Sequence, residues 1–332
     1  MSQGDEVYVL GDYVIEALQR GALVDYEIQD IETVGNVIAK IRKKINLSVK
    51  FAAAAVSGQT VITKIIYMDA TLSEEELANQ IEIEADNLIS YPLDEVSLDF
   101  ESLDVNKSDP TKIDVLLSAA RTESIEARVA ALEYGGFEAK VIDVESYAVS
   151  RTFNLCLPML PNDAKDKMVA IVDIGANMTL FSVSNAGKNV YSRDQIFGGE
   201  QYTRSIISYY NQSFEEAEAA KVNGDLPPNY YTEVLSPFHT ILVQQVRRAI
   251  QIFLTSSGYE KVDYLVISGG TALLDGIQEL LTAELAIYTV IADPFVHMGI
   301  SANLDPNKLQ LVAPQLMVAS GLALRSFEPW HI

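Results

Sequence analysis

Apolar and polar positions fall in blocks along this chain, and the spacing within each block separates strands from helices. Four short apolar runs, "FAAAAVSG" (51–58), "KIDVLLSAA" (112–120), "MVAIVDIG" (168–175) and "VDYLVISGG" (262–270), read as buried strands that end at loops. Between them the spacing becomes helical. "IETVGNVIAKIRKK" (31–44) carries it. In "SEEELANQIEIEADNLIS", Ser73 and Glu76 form a capping-box pair, and Leu77, Ile81, Ala85 and Leu88 share one face. Pro92 closes that segment. "SIEARVAALEYGG" stops at Gly135–Gly136, and a long helix is expected over about 232–257, ending near Gly258. Strands alternating with helices predict an α/β protein with parallel or mixed sheets.

An internal echo divides the chain. The strand at 51–58 ends in Val56-Ser57-Gly58, and the strand at 262–269 ends in Ile267-Ser268-Gly269. Each follows a hairpin-like stretch and a helix, which predicts two similar halves. The second opens with a hairpin of 168–183 against "KNVYSRDQIF"; the first opens with "DEVYVLGDYVIEAL" (5–18), which reads as the second strand of a hairpin without its first. The expected organisation is a first half over 1–70 and 141–165, an inserted subdomain over 71–140, a second half over 166–326, and a short tail over 327–332.

Composition excludes several classes of function. The 332 residues are 48% hydrophobic, enough for real cores, and the formal net charge is −22, a poor match for nucleic acid or anionic lipid. Cys156 is the single cysteine, so no internal disulfide forms, and its apolar flanks suit a core residue. The histidines lie too far apart in sequence for metal-ligand spacing. No stretch reaches the ~18 apolar residues of a membrane span, and "MSQGDEVYVL" lacks the basic start of a signal peptide. Between Lys64 and Lys107 there is no basic residue, while acids run from Asp69 to Asp104. That is either a solvated face or a docking face for a basic segment.

The candidate chemistry lies in glycine turns. In "VDIGANMTLFSV" (172–183) a strand is interrupted by Asp173, Gly175 and Asn177 before Thr179 resumes it. Glycine at such a tip lets backbone N–H groups approach an anion, and Thr179 offers a hydroxyl. Asp173 would repel phosphate directly, so it fits only through a hydrated cation such as Mg²⁺. "FGGEQYT" (197–203) and "SGGTALLDGI" (268–277) each put two glycines ahead of a helical stretch. "SFEEAEAAK" sets Glu218 and Lys221 one turn apart, a spacing that also suits a plain surface ion pair.

The order of these pieces resembles the actin-like ATPase superfamily, and within it the chain is similar to the PilM family of type IV pilus assembly, related to the cell-division protein FtsA. The likeness is dense over "VITKIIYMDATLSEEELANQIEIEADNLISYPLDEVSLDF", over "VAIVDIGANMTLFSV" with "FGGEQYT", and from "VDYLVISGGTALLDGI" to "APQLMVASGLALRS". It implies an actin-like α/β fold of two halves with the FtsA/PilM-type inserted subdomain, 1C. It implies ATP or ADP with Mg²⁺ as cofactor. Asp173, Gly175, Asn177 and Thr179 then match the second phosphate hairpin, with Asp173 holding Mg²⁺ through water. Gly198 and Gly199 begin the following helix. Glu218 and Lys221 match the pair that grips the ribose and adenine side, and Gly269, Gly270 and Thr271 match the adenosine loop. Glu145 stands where filament-forming relatives keep a water-activating acid.

The resemblance also sets expectations for function. The family is a cytoplasmic scaffold, held at the inner membrane through its partner and serving pilus-driven twitching motility. It docks the short cytoplasmic N-terminus of the membrane protein PilN beside the inserted domain, and other pilus assembly proteins are further candidates. At most a weak ATPase is expected, the alternative being an FtsA-like division protein or a small-molecule kinase. By comparison with the family, a first strand and first phosphate hairpin are not found ahead of 5–18. The expected consequences are weaker ATP binding and unpaired backbone groups at Val7–Leu10.

Overall fold

The computed structural model describes residues 8–45, 48–57, 61–89, 91–106 and 108–327. Gly58, Lys107, Trp330 and the rest of the expected tail beyond Phe327, like the first residues of the 5–18 stretch, lie outside these. The chain forms two compact units. One is Tyr13–Glu145; the other joins the residues up to Asp12, with strand β1 (Val9–Leu10), to Ser146 and all that follows.

The Tyr13–Glu145 unit begins with a hairpin, β2 (Leu23–Val24) and β3 (Glu27–Ile28), whose two-residue turn puts Asp25 and Tyr26 at positive φ. Helix α1 (Ile31–Lys44) starts on Asp30, whose carboxylate accepts from the Thr33 amide. Strand β4 (Phe51–Val56) pairs with a distant partner described below, and β5 (Val61–Asp69) leads into α2 (Glu74–Leu88). The capping box of α2 forms as its sequence requires, Ser73 and Glu76 bonding each other's backbone amides. Next come β6 (Val96–Val105), β7 (Lys112–Arg121), α3 (Thr122–Tyr134) and β8 (Glu138–Val144). β4 and β8 pair in parallel, with Val56 beside Val144.

Strands β5, β7 and β6 form an antiparallel sheet in that order, so the strand at 61–69 joins those of the following segment. Its inward residues Ile66, Met68, Val115 and Leu117 pack on Leu77, Ile81 and Ala85 of α2. The period-2 and period-3.6 patterns meet face to face there, and fully burying each such side chain contributes roughly 1.5–3 kcal/mol.

The second unit opens with α4 (Glu145–Cys156), of which Ser146 onward belongs here, and then β9 (Met168–Ile174), β10 (Thr179–Asn185) and β11 (Lys188–Gln195) as an antiparallel meander. Helices α5 (Gly199–Tyr210), α6 (Phe214–Asn223) and α7 (Ser236–Ser257) follow, α7 being entered through a π-helical turn at Tyr231–Leu235. Then come β12 (Tyr264–Ser268), α8 (Ile277–Leu285), β13 (Tyr288–Ile291), β14 (Gly299–Ile300), α9 (Pro306–Gln310) and α10 (Met317–Leu324). The sheet order is β11-β10-β9-β12-β13, with β12 and β13 parallel to β9.

Both faces of this sheet are covered, which explains why its strands read as unbroken apolar runs. Ala170, Val172 and Ile174 of β9 join a core with Leu242, Val246 and Phe253 of α7. Val169 and Ile171 face the other way, onto Val149, Phe153 and Cys156 of α4 and Met317 of α10. Helix α4, grouped with residues 1–70 on sequence, thus packs here.

One expectation is corrected in part: the carbonyls of Tyr8 and Leu10 have partners. β1 lies parallel to β14, where Gly299 N–H donates to Tyr8 O at 2.8 Å and Ser301 N–H donates to Leu10 O at 3.0 Å. A two-stranded pairing 290 residues apart in sequence has no local signal, so the pattern at 5–18 missed it.

Candidate functional site

The second unit gathers nearly all the residues singled out above. β9 and β10 are joined by a tight turn, closed by Gly175 N–H donating to Met178 O at 2.9 Å. Asn177 is exposed at its tip. The N-terminus of α5 abuts this turn. Gly199 N–H donates to Gly175 O at 2.9 Å and Glu200 N–H to Ala176 O at 2.8 Å. A helix start has amides without intrahelical partners, and here two of them hold the hairpin. Gly198 is required by this approach, because a Cβ there would stand 2.4 Å from Ala176 O.

The loop after β12 closes on the same turn. Gly269 has φ +81°, and a Cβ on it would lie 2.4 Å from Ile174 O. Its own N–H donates to Pro314 O at 2.9 Å. Thr271 is buried and donates from Oγ1 to Gly175 O at 3.2 Å. Gly175 O therefore accepts from both the helix and the loop. Gly270 differs: a Cβ there would meet nothing within 4 Å. Its bare backbone faces open space, the surface a flat ligand needs.

Asp173 sits on β9 opposite Ser268 on β12, and Ser268 Oγ donates to Asp173 Oδ2 at 2.7 Å. Desolvation pushes the Asp173 carboxyl up to about 6, with the Ser268 bond opposing it. Ser268 was missed as a site residue on sequence. The signal was its place at the end of a strand parallel to the one bearing Asp173, which requires knowing the pairing.

Thr179 corrects an expectation. It is buried, and its hydroxyl donates to Phe197 O at 2.8 Å. One hydroxyl has one proton, so Thr179 braces the segment before α5 and offers no donor to an anion.

Glu218 and Lys221 are not a loose surface pair. Their side chains, 34% and 17% exposed, meet at 2.5 Å. Lys221 Nζ also donates to Thr203 Oγ1 at 2.8 Å, and Thr203 Oγ1 bonds Glu218 Oε1. Thr203 is fully buried on α5, one turn beyond Gly199. It went unnoticed as a site residue because its contacts to Glu218 and Lys221 are made across to α6, beyond the bond to Gly199 O along its own helix. Glu145 lies in the other unit, where its charge helps keep the buried Arg128 protonated against desolvation.

Among the described residues, no group of three or more His, Cys, Asp or Glu converges as a metal site, and no helix is long and apolar enough to cross a membrane. At the turn the one carboxylate is Asp173, beside the exposed Ala176–Asn177 tip. A hydrated cation takes its remaining ligands from water and phosphate, so one carboxylate suffices on the protein side.

Residues 1–327 match the family profile described as "Type IV pilus assembly protein PilM". The chain belongs to this family. Among PilM-like solved structures, the chain is similar to one titled "PilM-PilN type IV pilus biogenesis complex", at 24% identity and a TM-score of 0.81, over 94% of this chain and 90% of that one. It also shares its fold with the ethanolamine utilization protein EutJ of Carboxydothermus hydrogenoformans, at 15% identity and a TM-score of 0.53, over 91% and 77% of the two chains. The actin-like α/β architecture expected of a PilM-family chain is therefore the observed one. Cell division protein FtsA of Helicobacter pylori strain J99 is 26% identical over 247 residues, 64% of this chain and 48% of that protein. FtsA of Bacillus subtilis strain 168 is 23% identical over 243 residues, 68% of this chain and 53% of that protein. The chain spans about half the length of these curated relatives.

Proposed function

We propose that this PilM-family chain is a nucleotide-binding scaffold of type IV pilus assembly, and that the occupant of its turn is ATP or ADP with Mg²⁺. The observation that carries this reading is the convergence on Gly175 O. The hairpin, the α5 N-terminus and the 269–271 loop share that one acceptor, and Thr203 ties the Glu218–Lys221 pair to the same helix. Asp173 would hold the cation through water; Gly175, Asn177, Gly198 and Gly199 would shape the phosphate side. Gly269, Gly270 and Thr271 would lie against the base, with Glu218 and Lys221 toward the sugar. The bound nucleotide supplies the phosphate charge that a hydrated cation needs beyond Asp173.

The same proposal makes the chain an adaptor. The solved relative in complex with PilN supports an equivalent partner here, the cytoplasmic N-terminal peptide of an inner-membrane protein. The acidic segment from Asp69 to Asp104 supports docking of a peptide carrying basic residues. The protein would then be cytoplasmic and reach the membrane through that partner.

Calorimetric titration with Mg-ATP tests the nucleotide half of this reading. Wild type is expected to bind and Asp173→Ala to lose most of the affinity. Absence of binding by wild type would leave only the adaptor role, which titration with the partner peptide at two ionic strengths would test. Affinity that did not fall with salt would count against the acidic segment as its dock.

A further inference from the structure

Cations of the Tyr13–Glu145 unit gather at one end of it. The last turns of α1 carry Lys40, Arg42, Lys43 and Lys44, all exposed. The starts of β4 and β8 bring Lys50 and Lys140 beside them, exposed as well. Contacts join the two groups. Arg42 donates to Gly136 O and lies over the Phe137 ring, 5.3 Å from its centre. The next residue, Glu138, pairs with Lys50 at 2.7 Å. Lys50 and Lys140 then stand over the Phe51 ring, at 5.2 and 5.3 Å. Glu16, bound to Lys40 and Lys44, stands among these cations with Glu138 and with Glu133 of the last turn of α3, and the cations outnumber these carboxylates. That is a positive pole in a chain whose net charge is −22.

Helix capping accounts for part of it, since cations in the last turn of α1 complement the helix dipole. Lys50 and Lys140 stand at the starts of strands and serve no helix end. Phe51 is a second, independent observation. It is 52% exposed although two ammonium groups flank its ring. A single exposed apolar residue needs no explanation. An exposed aromatic ring between lysines matches a surface that is anionic outside and apolar beneath, the layering of phosphate over hydrocarbon in a bilayer.

The acids of this unit lie toward its other end. The chain leaves β4 at Val56 for the sheet β5-β7-β6, and α3 returns from Arg121 to Gly135 over 13 helical residues. Such a helix is about 20 Å long. The Debye length at physiological salt is about 8 Å, so a surface that meets the cationic end is screened from the Asp69–Asp104 segment.

We infer that this cationic end is a docking surface for an anionic lipid bilayer, with the lysines against lipid phosphates and Phe51 in the headgroup layer. The negative charge of the whole chain opposes tight adhesion. The contact therefore orients the molecule on a membrane and adds to a protein tether without replacing it. An acidic polypeptide would meet the same cations but gain nothing from Phe51.

The test is flotation of the full chain with phosphatidylcholine vesicles, with and without phosphatidylglycerol, at low and at physiological salt. Wild type is expected to float with the phosphatidylglycerol vesicles at low salt, less so at physiological salt, and not with phosphatidylcholine alone. Lys43→Ala with Lys140→Ala should lower the partition coefficient by about 25-fold, about fivefold for each cation. Phe51→Ser, which removes the ring and no charge, should lower it by about tenfold and leave its salt dependence unchanged. Circular dichroism checks that each variant is folded. Failure of wild type to float with anionic vesicles at low salt overturns the inference, and so does flotation that the double lysine variant leaves intact. Binding that soluble poly-glutamate abolishes and Phe51→Ser leaves unchanged overturns it in favour of an acidic polypeptide.

Discussion

The hydroxyl of Ser268 lies 2.7 Å from Oδ2 of Asp173, across two parallel strands in register. It is the hydrogen bond that opposes the desolvation of that carboxyl, and burial still dominates, raising its pKa from the ordinary 3.8 to about 6. A carboxyl whose proton affinity rises on folding stabilises the fold below its unfolded pKa. That contribution is lost as pH rises through about 6. Asp173→Asn keeps an acceptor for Ser268 and removes the charge. It should stabilise the ligand-free protein at pH 8 by roughly 2–3 kcal/mol, with little effect at pH 4. Urea denaturation at the two pH values checks this. A wild-type stability that did not fall between them, relative to the variant, would contradict it.

Gly269 and Gly224 share a positive φ, +81° and +74°, but ψ is 172° at Gly269 and 15° at Gly224, and their surroundings differ too. An alanine at Gly224 meets nothing within 4 Å, so Gly224→Ala should cost only about 1–2 kcal/mol for the left-handed conformation. At Gly269 the added Cβ would also sit 2.4 Å from Ile174 O. Gly269→Ala should cost clearly more than Gly224→Ala, and should weaken Mg-ATP binding where Gly224→Ala does not. Chemical denaturation and the same titration separate the two.

Arg128 is 8% exposed and ties three backbone segments together. It donates to Ala55 O at 2.6 Å, to Ser124 O at 2.8 Å and to Tyr26 O at 2.5 Å, with Glu27 at 3.8 Å. Arg128→Met would leave these acceptors and a half-buried carboxylate without their cation. A loss of about 3–5 kcal/mol is expected, since removing one partner strands the other. Far-UV circular dichroism in denaturant measures it; a change under 1 kcal/mol would show that water replaces the guanidinium freely.

Cys156 is fully buried between α4 and α10, and burial, with a smaller contribution from the charge of Asp293, pushes its thiol up to about 12. The thiolate is the reactive species, so the native protein should resist thiol reagents at pH 8. Labelling is expected only at the rate of unfolding, rising with denaturant. Rapid modification in buffer would mean that this face of the sheet opens locally.

Much of this protein follows from sequence alone, because the deciding physics is local. The capping pair Ser73–Glu76 and the apolar stripe of α2 predict that helix within a residue or two at either end. The unbroken apolar runs at 168–175 and 262–270 predict strands buried on both faces, and the sheet has helices on both. Gly198 and Gly269 mark places where backbone meets backbone. What the sequence could not decide was which groups face each other across long separations. Ser268 met Asp173 only through the pairing of β12 with β9, and β1 found β14 from the far end of the chain. Thr179 reads as a free hydroxyl until Phe197 O is brought beside it, and Thr203 reads as an ordinary helical residue until α6 packs against it. A side chain's chemistry is set by its residue type, but its free protons and lone pairs are set by neighbours that only the folded chain assembles.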